Sequence, residues 1–143
     1  MNAGVFDGAA GALGVWLRLG PRHSAPRAAR KLAYDMCEHA GSPASLVDNA
    51  AFVVGELVRT SISQARSDLT VQLSCQLGQV TVRVRDAGSS SPVRMSDIDA
   101  SAARCWDIVR RLCASWGFSD QSSGREMWAT LRDDSQRIVQ IAA

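Results

Sequence analysis

A two-layer α+β sandwich, with helices packed on one face of a mixed, mostly antiparallel sheet, is the fold class this sequence predicts. Three observations point to it. Apolar residues recur at helical spacing in three segments, and they alternate with polar residues in several others. These segments run in the order strand, helix, helix, hairpin, loop, helix, strand. Strands gathered into one sheet must cover their apolar side, and helices carrying a single stripe each can do so from one face. The length of 143 residues suits one domain with a real core, and 46% hydrophobic with 21% charged residues is an ordinary globular balance. The expected organisation is a flexible tail over 1–13, one domain over 14–132 and a C-terminal tail over 133–143.

Met1 to Val15 is rich in Gly and Ala and lacks the basic start of a signal peptide. Val15 to Leu19 alternates and reads as a short strand, ended by Gly20-Pro21. Ser24 is placed to cap a helix and Pro26 suits its first turn. Ala29, Leu32, Ala33, Met36 and Cys37 form that helix's stripe, and Gly41 stops it. A second helix starts at Ser42 or Ser45 and runs to about Ala65, burying Val47, Ala50, Ala51, Val54, Leu57, Val58 and Ile62.

Leu69, Val71, Leu73 and Cys75 alternate with polar residues, as do Val80, Val82 and Val84. With Leu77-Gly78-Gln79 between them, they predict a hairpin. Asp86 to Pro92 carries every turn signal. Asp97 or Asp99 then opens a third helix reaching Trp116, with Ile108, Val109, Leu112, Cys113 and Trp116 on its apolar side. Trp116-Gly117-Phe118 is expected to turn the chain. Glu126 to Leu131 is the last strand, and Ile138, Val139 and Ile141 could add a short one in the tail.

A net charge of +2 without a clustered basic face argues against a nucleic-acid partner. Arg94, Arg104, Arg110 and Arg111 read as a solvated helix face. No apolar run approaches the ~20 residues that span a bilayer, so a cytoplasmic protein without a membrane partner is expected. Cys37, Cys75, Cys105 and Cys113 form no Cys-x-x-Cys pair, and His23 and His39 lack metal-ligand spacing with them. They read as reduced core thiols. The tryptophans and Met36, Met95 and Met127 read as packing residues.

Four segments, taken in order, resemble a known family. They are Ala25 to Arg30 (A-P-R-A-A-R), Ala51 to Leu57 (A-F-V-V-G-E-L), Val82 to Gly88 (V-R-V-R-D-A-G), and Trp116-Gly117 followed by Gly124 to Ala129 (G-R-E-M-W-A). Together they are similar to the histidine-kinase-like ATPase (GHKL) superfamily, in the branch of bacterial anti-sigma-factor serine kinases. The resemblance covers roughly Val15 to Arg132.

It implies a site. Glu56 would be the general base, and Thr60 stands where the family has an Asn that ligates Mg²⁺. Four residues apart on a helix, the two share one face. Asp86 would accept a hydrogen bond from the adenine amino group, and Gly88 would let the backbone approach the ring. Ser90 departs from the second glycine of that box. The phosphate box is the poorest match: Ala103, Cys105 and Trp106 occupy its positions, and Arg104 is the nearest cation. Asp99 and Asp107 add negative charge, and no lysine follows Lys31.

Two readings follow. In one, the chain binds MgATP, phosphorylates a STAS-domain anti-anti-sigma protein and otherwise sequesters a sigma factor, with a weakened nucleotide site. In the other, it is a non-catalytic interaction module that kept the fold but lost ATP binding. Relatives of this kind often dimerise, so a homodimer is a further expectation.

Overall fold

The computed structural model describes residues 3–7, 12–65, 67–76, 78–87, 100–121 and 124–133. It is an α+β two-layer sandwich. The strands are β1 (Ala3–Asp7), β2 (Leu13–Leu19), β3 (Leu69–Gln76), β4 (Gln79–Asp86), β5 (Ser115–Gln121) and β6 (Gly124–Arg132). The helices are α1 (Ala25–His39), α2 (Ala44–Ala65) and α3 (Ala100–Leu112). The sheet order is β1-β2-β3-β4-β6-β5. Every pairing is antiparallel, so the mixed sheet expected from sequence is not found among the described strands.

Strand alternation places the core. Leu69, Val71, Leu73 and Cys75 of β3, Val80, Val82 and Val84 of β4, and Met127, Ala129 and Leu131 of β6 are all buried on the helix side. The β3–β4 register pairs Gln76 with Gln79. Gly78 takes φ +69, the left-handed turn geometry that a tight hairpin needs. α2 is the central helix. It packs against α1, α3, β3, β4 and β6, and it buries Leu46, Val47, Ala50, Ala51, Val53, Val54, Leu57 and Val58. Arg30 of α1 lies over Gly55 of α2, where the missing side chain lets the helices approach.

α1 begins at the expected place, with Pro in its first turn, and Gly41 closes it at φ +77. Ser24 does not cap it through its side chain. Its backbone is already helical (φ −78, ψ −12), which points the hydroxyl away from the free N–H groups, and only its carbonyl serves the helix, accepting from Ala28 N at 3.1 Å.

Two other segments differ from expectation. Residues 3–7, expected in a loose tail, form β1 and pair with β2 from Ala3↔Leu17 to Asp7↔Leu13. α3 ends at Leu112, not Trp116, and the residues expected to turn the chain are the edge strand β5. Ala114 N donates to Thr130 O at 2.8 Å and so starts the ladder with β6. Trp116, expected on the apolar face of that helix, is instead 42% exposed on the edge strand. Its ring centroid is 5.3 Å from Trp106 of α3, and Phe118 stands edge-on to Trp106 at 6.4 Å. Asp97, Asp99, Arg94, Met95 and residues 134–143 lie outside the described residues.

Candidate functional site

Helical spacing puts Glu56, Arg59 and Thr60 on one side of α2. Glu56 is half-buried, and its Oε2 accepts from Arg59 Nη2 at 2.8 Å. Thr60 is fully buried, and its hydroxyl donates back to Glu56 O at 2.9 Å. This is a helix-internal bond of the kind threonine commonly makes to the carbonyl four residues earlier.

α3 lies directly over this face. Cys105 is fully buried beside Thr60. Burial pushes the Cys105 thiol up, the Thr60 hydroxyl opposes that, and the Glu56 charge adds to it. The expected metal ligand and the expected phosphate-box residue thus pack against each other. Mg²⁺ keeps several waters and phosphate oxygens in a strict octahedron, and a threonine sealed under a neighbouring helix does not fit that role. Ala103 and Arg104, the two residues just before Cys105 in α3, are exposed.

Asp86 ends β4 on the core side of the sheet. It is buried, with Oδ2 accepting from Ser61 Oγ at 2.9 Å. The register of β4 on β6 sets Arg125 opposite Asp86. Arg125 Nε is 3.6 Å from Asp86 Oδ1, and both side chains are only 3% exposed. The guanidinium nitrogens find no hydrogen-bond acceptor among the described residues. The charges therefore face each other inside the fold without a direct hydrogen bond between them.

Gly124 makes that approach possible. It adopts φ +142, and a Cβ there would collide with the Asp86 carbonyl oxygen. Gly88, expected beside the adenine, and Ser90 lie outside the described residues.

The structure therefore gathers Glu56, Thr60 and Cys105 at the α2–α3 contact. Asp86 stands beside the very next residue of α2, on Ser61, while Ala103 and Arg104 face outward. Ser61 and Arg125 were missed as site residues, although signals for both were present. Ser61 continues the stripe of Val54, Leu57 and Val58, and Arg125 continues the inward alternation of Met127, Ala129 and Leu131.

Elsewhere, Arg110 and Arg111 pair with Asp107 at 2.8 and 3.2 Å on an exposed face, as read from the sequence. A cavity of about 260 Å³ on the sheet face opposite the helices is lined by Thr70, Gln72, Arg83, Arg85 and Glu126. No three His, Cys, Asp or Glu side chains converge to hold a metal among the described residues. No described helix is long and apolar enough to cross a membrane. No family model matches this sequence, and no curated protein matches it.

Proposed function

We propose that this chain is a non-catalytic interaction module of the anti-sigma regulatory type. In this reading the scaffold resembles a histidine-kinase-like ATPase, and the chain acts by binding a sigma factor or a STAS-domain antagonist without phosphoryl transfer. The observation that carries the reading is the Asp86 carboxylate. The residue that would read adenine is spent on Ser61 and Arg125 inside the core. An adenine amino group would have to enter the core to reach this carboxylate, which already accepts from Ser61 and faces a buried guanidinium.

The α2–α3 contact supports the same reading. Thr60 and Cys105, which stand at the metal and phosphate-box positions of the family the sequence resembles, are both fully buried and in contact with each other. Glu56, the base of the catalytic alternative, is held by Arg59.

The test is binding of the purified chain to sigma-factor and STAS-domain proteins, measured by surface plasmon resonance with and without MgATP. The reading expects at least one partner whose affinity MgATP leaves unchanged, and no radiolabel passing from γ-labelled ATP to the STAS serine. Label transfer that Glu56→Gln abolishes would restore the kinase reading.

A further inference from the structure

We propose that Cys37 and Cys75 are an oxidation site, closing a reversible disulfide between α1 and β3 when the protein meets a hydroperoxide. The inference is independent of the function proposed above and rests on the geometry of two thiols. Cys37 sits in the last turn of α1 and Cys75 near the end of β3, and their sulfurs are 3.6 Å apart. Both are free and buried. A disulfide brings sulfurs to about 2.05 Å, so they must close by about 1.5 Å, a movement within reach of side-chain rotation.

The surroundings favour one order of events. The two sulfurs share one hydrogen bond that either can donate, and the Ser42 hydroxyl adds a second donor to Cys75 alone. These contacts hold its thiol below the ordinary value against the opposing effect of burial. Cys37, with no such second donor, is held above that value by its contact with Cys75 and by burial. Cys75 is therefore the nucleophile.

Its thiolate attacks one peroxide oxygen, the O–O bond breaks, hydroxide leaves and Cys75 becomes a sulfenic acid. The Cys37 sulfur then attacks the Cys75 sulfur. The S–O bond breaks, and the departing hydroxide takes the Cys37 proton as water. Across both steps the thiols lose two electrons and two protons, and one peroxide becomes two waters.

Access comes from the end of α1. Ala40 and Gly41 are exposed, and Ser42 N donates to Cys37 O at 2.9 Å, so the proposal has peroxide enter where this turn opens. The other thiols are poorer candidates. Cys105 is sealed beside Thr60, and burial pushes the Cys113 thiol up to about 12, which keeps it protonated.

The test treats the reduced full chain with hydrogen peroxide and stops the reaction with catalase. The protein is then unfolded and alkylated, and the intact and trypsin-digested masses are read. The expected result is two alkylated cysteines instead of four, with peptide 32–59 joined to peptide 67–83 and released by dithiothreitol. Cys75→Ala should keep all its remaining thiols under the same treatment. Four alkylated thiols after prolonged exposure would overturn the proposal. So would a link through Cys105 or Cys113, sulfinic acid at Cys75 with Cys37 still free, or undiminished thiol loss in Cys75→Ala. The wild-type peptide map decides the matter even if that variant does not fold.

Discussion

Replacing Arg125 with methionine removes the guanidinium that faces Asp86 and keeps most of the side chain's apolar length. Both side chains are 3% exposed, so the carboxylate keeps its burial and loses the opposing charge. Breaking a buried pair by deleting one member costs about 3–5 kcal/mol. The 3.6 Å separation, with no direct hydrogen bond, places this pair near the lower end, at about 3 kcal/mol. For a domain of this size that is a fall of roughly 10 °C in Tm.

The double variant Asp86→Asn with Arg125→Met removes both charges and leaves Ser61 an amide oxygen to bond. It should return to within about 1.5 kcal/mol of wild type, because uncharged replacements of a buried pair are often neutral. Urea unfolding followed by tryptophan fluorescence measures all three proteins. If Arg125→Met unfolds within about 0.5 kcal/mol of wild type, the pair is not a structural one. Asp86 would then be available to a ligand.

Three more outcomes follow from the same contacts. Thr60→Asn, the residue that the resembled family carries there, should destabilise the fold by about 1–3 kcal/mol, because it overfills the buried Thr60–Cys105 contact; urea midpoints check this. Gly124→Ala should cost about 2 kcal/mol or more in the same assay, since φ +142 strains any side chain and Cβ meets the Asp86 carbonyl. The Cys113 thiol should make stability fall as pH rises above about 9. The folded state holds the Cys113 proton up to about 12, whereas the unfolded chain releases it near the ordinary 9.0. Melting scans against pH in wild type and Cys113→Ala test this, and the variant should lose part of the alkaline slope.

What the sequence made legible was local. The β3–β4 hairpin followed from alternation around Gly78, and α2 from an apolar stripe sustained over its whole length. β1 was not legible because Ala-Gly-Val-Phe-Asp has little strand preference of its own and depends on its ladder with β2. β5 was hidden because Trp116 fits two periods at once, extending the α3 stripe and alternating with Phe118 across Gly117.

The candidate site divided in the same way. Spacing placed Glu56 and Thr60 on one face, and alternation brought Asp86 to the end of its strand. That Cys105 seals Thr60, and that Arg125 faces Asp86, depend on how α3 and β6 come back to the rest of the fold. Those are contacts between residues far apart in sequence, which no local pattern encodes.

The most direct test of the account is calorimetric titration of the wild-type chain with ATP, with and without Mg²⁺. An Asp86 engaged by Arg125 and a Thr60 sealed by Cys105 predict no saturable heat up to millimolar nucleotide, where binding is worth only about 4 kcal/mol. Saturable, Mg²⁺-dependent binding in the micromolar range, lost in Asp86→Ala, would contradict it. That result would mean the carboxylate exchanges its buried arginine for adenine.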